Sequence, residues 1–282
     1  MYNKYFEVFL ADSPEGKEVN YRVRYQVYCL ETGFENPTDY PEKKESDDVD
    51  RRSAHFIARA RATGNWIAAM RLVIGSLDQL PISHVAKIDQ ELLLQNTRAN
   101  SLDDFGVCAE VSRLCVVSQY RRRAHERNVP HQVPWNPNDD IDESANQERR
   151  KAPWLMLALL HSARIYSEEQ NIPYWFFLAA NSLARIVKGL GMKLDRTGPA
   201  CEHRGIRYPF VANMPAVRWM KASRCATKTT ELAYRSSDSE RVISRFARQH
   251  HFAQMEECCA VSSFCNSTDK RPLSANVDQR AN

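Results

Sequence analysis

The sequence has no run that would cross a membrane; its apolar stretches fall short of the roughly 18 consecutive apolar residues a spanning helix needs. Nor does Met1-Tyr2-Asn3-Lys4-Tyr5 open a long apolar core, so no secretory leader is expected. The 8 cysteines contain no Cys-x-x-Cys pair, which removes zinc-ribbon and thioredoxin-type readings. Several lie in apolar runs, where a free thiol behaves as a small hydrophobe. These absences together point to a reducing cytoplasm. Strong charge excess is missing too: 39 Lys and Arg against 35 Asp and Glu leave +4, too mild to demand nucleic acid. The basic runs Arg121-Arg122-Arg123 and Arg149-Arg150-Lys151 come with no nucleic-acid-binding motif. No internal repeat and no metal-ligand spacing is visible. What is present is ordinary globular composition, 43% hydrophobic and 26% charged over 282 residues.

The chain is organised around Ala109-Glu110-Val111-Ser112-Arg113-Leu114-Cys115-Val116-Val117. Its β-branched and aliphatic residues, after the turn Asp103-Asp104-Phe105-Gly106, read as a strand. Charges in so apolar a strand cost free energy unless they are paired. In a regular strand Glu110 and Arg113, three apart, point to opposite faces. Either they do different jobs, or a β-bulge turns both towards one cleft; the plain alternative is an edge strand with two solvated charges.

In chain order, Tyr5–Leu10 reads as a first strand. Val19, Val23, Val27, Leu30 and Phe34 then recur at helical spacing, with Arg24 and Tyr28 four apart beside the stripe. Gly33 suits the helix end. Residues 35–52 are acidic and proline-spotted, a loop that is either solvated or a cap for a polar or cationic group. Residues 53–60 and 66–74 read as strands joined at Thr63-Gly64-Asn65. Short helices are expected over 78–104. Residues 121–150 read as a long insertion. A helix over 154–169 follows, then a strand over 172–180 and a helix opened by Asn181. A closing pair of strands is expected at 192–199 and 206–211. The helix between the central strand and the next implies a parallel crossover. The expected fold class is therefore α/β (α+β), a mixed and largely antiparallel sheet with helices on both faces. One domain over 1–222 is expected, with a partly disordered extension over 223–282 that carries Cys258 and Cys259.

The ordered set Arg24, Tyr28, Phe34, Glu45, Asp48, Arg71, Glu110 and Arg113 resembles the acyl-homoserine-lactone autoinducer synthases and N-acyl amino acid synthases of the GNAT acyltransferase superfamily. That family carries an Arg, Phe and Trp in its first helical region, then two Asp, an Arg in a strand, and Glu-x-x-Arg in the central strand. Arg24, Asp48, Arg71, Glu110 and Arg113 match it. Tyr28 stands for the Phe, Phe34 for the Trp and Glu45 for the first Asp. The last two departures turn the expectation away from an S-adenosylmethionine acceptor. Arg24–Glu31, Glu110–Leu114, Tyr120–Arg123 and Gly205–Pro209 resemble more closely the acyltransferases associated with the PEP-CTERM/exosortase system. The resemblance covers roughly residues 5–212 and implies a GNAT-like sheet whose two central parallel strands splay apart.

The implied activity is transfer of a long-chain acyl group from a thioester of acyl-carrier protein or CoA to a small amine or amino acid. Glu110 would be the general base and Arg113 would act beside it. Arg24, Tyr28, Phe34, Glu45, Asp48 and Arg71 would form the substrate site, with an arginine fork for an acceptor carboxylate. Asp48 would either meet a cationic part of the acceptor or pair with Arg24. Family members cradle the donor pyrophosphate in a glycine-containing turn after the central strand. Ser118–Arg123 has no glycine there, which favours a carrier-protein donor held by Arg121, Arg122 and Arg123. No tightly bound cofactor is implied; peripheral membrane contact stays open. A non-catalytic module binding an acyl chain or carrier protein is the alternative, and Glu110 argues against it.

Overall fold

The computed structural model describes residues 6–121 apart from 62 and 98, residues 152–189, and residues 191–214. The insertion, the C-terminal extension and the basic run beyond Arg121 lie outside the described residues. So do Cys258 and Cys259.

Strand β1 (Phe6–Leu10) leads to helix α1 (Pro14–Tyr25). Ser13 starts that helix by accepting the Gly16 N–H, and Pro14 takes the first-turn position, where an N–H would have no intrahelical acceptor. The helix runs on as a π-helical turn over Gln26–Glu31 and stops before Gly33, whose φ is +63°. The π turn also ends the apolar stripe: Val19, Val23 and Val27 are buried, but Leu30 is 45% exposed.

Strands β2 (Ser53–Ala60) and β3 (Trp66–Gly75) form an antiparallel hairpin across Gly64. Helices α2 (Pro81–Val85) and α3 (Gln90–Thr97) precede the central strand β4 (Cys108–Val116). After the short α4 (Ser118–Arg121) come α5 (Ala152–Glu169), β5 (Tyr174–Ala179) and α6 (Asn181–Gly189). Three strands close the described chain: β6 (Asp195–Arg196), β7 (Cys201–Glu202) and β8 (Ile206–Asn213). The expected closing pair is thus one full strand and two two-residue pieces.

The order across the sheet is β1-β2-β3-β4-β5-β8-β6, with β7 beside β8. Every described pairing is antiparallel except β4 with β5, the expected crossover. Helices cover both faces, as expected. On one face Tyr21 of α1 packs on His55 of β2; on the other Tyr166 of α5 packs on Phe56. Helix α6 lies on the α5 face, where Lys188 sits over the Phe210 ring. Strand β4 is central rather than an edge, so its charges are enclosed.

The loop between α2 and α3 meets the loop after β6 at Gly198, where a Cβ would stand 2.1 Å from the Lys87 carbonyl oxygen. Backbone cannot yield as a flexible side chain does, so Gly198→Ala should cost about 1–3 kcal/mol. Thermal unfolding followed by circular dichroism should show Tm lowered by several degrees; an unchanged Tm would refute this close packing.

Candidate active site

Strand β4 carries one residue more than β3 opposite it. Ala69 pairs with Cys115 and Arg71 with Ser112, so two steps along β3 match three along β4. The extra residue is absorbed beside Arg113, whose φ is +52°. This is a β-bulge, one of the arrangements open to two charges three apart in an apolar strand. On its other edge β4 pairs with β5 only from Ala109–Trp175 to Val111–Phe177, although both strands continue. Beyond that point they part around a cavity of about 210 Å³. The cavity passes through the sheet. Arg71, Ile82, Glu110 and Ser112 line it from the α1 face, while Phe177, Leu183 and Val187 line it from the α5 face.

Beside this gap lies a buried lattice of ion pairs. The Arg24 side chain is fully buried. It meets Glu45 at 2.5 Å and both oxygens of Asp50 at 2.7 and 3.1 Å. Arg71 reaches Asp47 at 2.5 Å and Asp50 at 2.8 Å, and donates to the Ser112 hydroxyl. Arg113 meets Glu45 at 3.0 Å, Asp47 at 3.4 Å and Glu35 at 3.5 Å, and its guanidinium lies over the Tyr28 ring. Arg204, in the turn between β7 and β8, closes the lattice on Glu35. Four arginines thus face four carboxylates, and buried charge is tolerated because it is paired. Both arginines that meet Glu35 have left-handed backbones, Arg113 and Arg204 at φ +52°. Such conformations cost of order 1–3 kcal/mol and persist only where contacts fix them.

Two of the lattice carboxylates, Glu45 and Asp50, stay charged. Burial works to raise the Glu45 pKa, but Arg24 and Arg113 outweigh it and hold it below its ordinary value. Asp50 is likewise held low, burial being outweighed by Arg24, Arg71 and its bond to the Asp47 backbone. Burial pushes the neighbouring His55 down to about 4, so it stays neutral.

Glu110 differs. Its side chain is buried, and one oxygen accepts the Ile82 N–H at the start of α2 at 2.7 Å. Among the described residues it makes no ion pair, because the nearby arginines are engaged by the acidic loop. Burial pushes its pKa up to about 7; the Ile82 N–H, Arg71, Arg113 and Arg52 offset only part of that. The nearby arginines therefore do not hold Glu110 in the ordinary carboxylate range.

The structure brings Tyr28, Phe34, Arg71, Glu110 and Arg113 to one cavity. It does not bring Arg24, Glu45 or Asp48 there. Arg24 and Glu45 sit in the lattice beneath, so the acidic loop caps the protein's own arginines. Asp48 is exposed and pairs with Arg51, and the aspartate that meets Arg24 is Asp50. Spacing within the loop could not tell Asp47, Asp48 and Asp50 apart. The capping box at Asp47 and Asp50 turns those two inward and leaves Asp48 outside. Arg122, Arg123 and the Arg121 side chain lie outside the described residues. Sequence reasoning missed His203, Arg204 and Arg207 on the far wall, although Gly205–Pro209 stood out as a motif.

The sequence pattern of the acetyltransferase (GNAT) domain family matches residues 23–129, from α1 to beyond β4. The fold is consistent with it. No curated protein matches the chain. Among solved structures, the AHL synthase LasI aligns with TM-score 0.48 at 11% identity, over 77% of this chain and 93% of its own. FeeM, an N-acyl amino acid synthase from uncultured soil microbes, aligns with TM-score 0.47 at 11% identity, over 78% and 96%. The CoA-dependent acyl-homoserine lactone synthase BjaI, solved with SAM and isopentyl-CoA, aligns with TM-score 0.48 at 14% identity, over 82% and 90%.

Two stability predictions follow from these opposite carboxylates. Glu45→Gln leaves Arg24 and Arg113 short of a counter-charge and should cost about 3–5 kcal/mol in urea unfolding at pH 7; a loss under 1 kcal/mol would show the lattice to be dispensable. Glu110 has the reverse sign. Its folded pKa lies above its unfolded one, so its stabilising contribution is full below about pH 4.5 and is lost as pH rises through about 7. Glu110→Gln should therefore gain stability relative to wild type at pH 8 and not at pH 4.5. Equal differences at both pH values would contradict a buried, uncompensated Glu110.

Proposed function

We propose that this chain is a cytoplasmic N-acyltransferase. It moves a long-chain acyl group from an acyl-carrier-protein or CoA thioester to a small amine or amino acid, with Glu110 as general base. The observation that carries this is a buried carboxyl with a pKa of about 7, set in a cavity that opens where two parallel strands part. Acyl transfer from a thioester to an amine needs three things: a neutral amine, a group to take its second proton, and donors for the tetrahedral oxyanion. Glu110 fits the second need, since a base is most effective with its pKa near the working pH. Backbone freed where β4 and β5 separate fits the third. The GNAT-domain match ends just past this strand and supports the same reading.

For the acceptor, Arg71 supplies a fork beside the cavity. Its Nε has no hydrogen-bond partner among the described residues, a buried donor suited to an acceptor carboxylate. For the donor, the first N–H of α4 is already engaged: Ser118 donates its backbone N–H to Glu31 at 2.9 Å and its hydroxyl to the other oxygen at 3.2 Å. A carboxylate at that position opposes a pyrophosphate there. This favours an acyl-carrier protein over CoA, with Arg121, Arg122 and Arg123 as its contacts. The PEP-CTERM/exosortase association stays with this proposal, resting on Arg24–Glu31 and Gly205–Pro209.

Mass spectrometry of lipid extracts from cells expressing the protein should show an acyl-amine species that is absent with Glu110→Gln. With the acceptor so identified, kcat/KM should rise with pH through an apparent pKa near 7. Glu110→Gln should lower it by about 10²–10⁴-fold at pH 8 while leaving donor binding intact. A folded Glu110→Gln protein with wild-type turnover, when chemistry limits the rate, would make Glu110 structural.

A further inference from the structure

Glu110 lies deep, and a second proton-handling group lies nearer solvent. Among the polar side chains of the cavity wall, most are committed. Asp47 is engaged by Arg71 and Arg113, and Arg204 by Glu35. The Tyr28 hydroxyl faces the Leu114 carbonyl at 3.4 Å, and burial raises its pKa, so it holds its proton. His203, in the turn between β7 and β8, is half-buried and lines the same cavity. Its backbone N–H donates to the Gly205 carbonyl, but its ring makes no hydrogen bond or ion pair among the described residues.

The charges around that ring are Arg204 and Arg207 from its own side of the cavity and Arg113 from β4, with Glu35 neutralising part of Arg113 and Arg204. Burial first, and then these arginines, hold the His203 pKa below its ordinary value. The ring is therefore neutral near pH 7, with one nitrogen that donates and one that accepts. An acyl thioester enters from outside, so its sulfur trails towards the mouth while its carbonyl carbon advances to Glu110.

Building on the acyl-transfer reading, we propose that His203 is a catalytic residue that delivers the proton to the departing thiolate. The amine nitrogen bonds to the thioester carbon, and Glu110 takes the proton that the nitrogen sheds. The C–S bond then breaks with its electron pair on sulfur. One His203 nitrogen gives its proton to that sulfur, while the other takes up, through cavity solvent, the proton held by Glu110. The sum is amine plus thioester giving amide plus thiol; Glu110 and His203 end as they began.

A leaving group that needs no proton separates this role from a structural one. Wild type, His203→Gln, His203→Ala and Glu110→Gln would be assayed with a long-chain alkyl thioester, supplied both as the acyl-carrier-protein and as the CoA form, and with the matching S-phenyl thioester, whose thiol is a stronger acid. The acceptor would be an equimolar mixture of the proteinogenic amino acids and ethanolamine, with uncatalysed aminolysis subtracted. Both His203 variants should lose about 10²-fold or more in kcat/KM with the alkyl thioester and recover most of it with the phenyl thioester. Glu110→Gln should stay impaired with both. If wild type reacts and the His203 variants are equally impaired with both thioesters, or with neither, His203 does not protonate the leaving group. If wild type reacts with neither thioester, the acyl-transfer reading falls, and this role with it.

Discussion

The paired burial of arginines and carboxylates beside strand β4 is the constraint on which the rest depends. A single buried ion costs several kcal/mol, and removing one partner strands the other. Here Arg24, Arg71, Arg113 and Arg204 share Glu35, Glu45, Asp47 and Asp50, so every member except Arg204, which meets Glu35 alone, holds at least two others. The lattice fixes the acidic loop on α1 and holds Arg113 in a backbone conformation it would not otherwise keep. It also ties the β7–β8 turn across the mouth of the gap. A regular β4 would carry Arg113 to the opposite face, and the gap would lose its charged wall.

Because the arginines are satisfied by the loop, Glu110 is left without a strong counter-charge. Two kinds of buried carboxylate therefore stand side by side. Glu45 and Asp50 of the lattice are held in the charged form by their arginines; burial pushes the pKa of the one in the cavity up to about 7. Their neighbours decide the difference, since burial acts in the same direction on both. A carboxyl buried this way costs stability that rises as it ionises.

Much of the fold was legible in the sequence, because periodicity and turn chemistry are local. The β-branched and aliphatic run around Glu110, the hairpin at Gly64 and the helix before Tyr174 each marked an element, and the helix implied the parallel crossover. The β-bulge was legible as one of two outcomes, since two charges three apart in an apolar strand needed either separate roles or an extra residue. The allocation of charge in the acidic loop was not legible. Asp48 and Asp50 differ only in which side of a short helical turn they occupy, and the turn is set by a capping box that closes in three dimensions. His203 and Arg207 were hidden for another reason. They reach the cavity only because β8 lies beside β5, a long-range pairing that no local pattern announces.

The π-helical turn after α1 and the bulge in β4 are both one-residue insertions into regular structure, and they touch. Tyr28 of the first lies under Arg113 of the second, and its hydroxyl faces the Leu114 carbonyl. Each extra residue gives the other something to pack against. A chain that gained or lost one alone would carry an unmatched step between helix and sheet. The two irregularities are thus one structural unit, and removing the extra residue of one should unsettle the other.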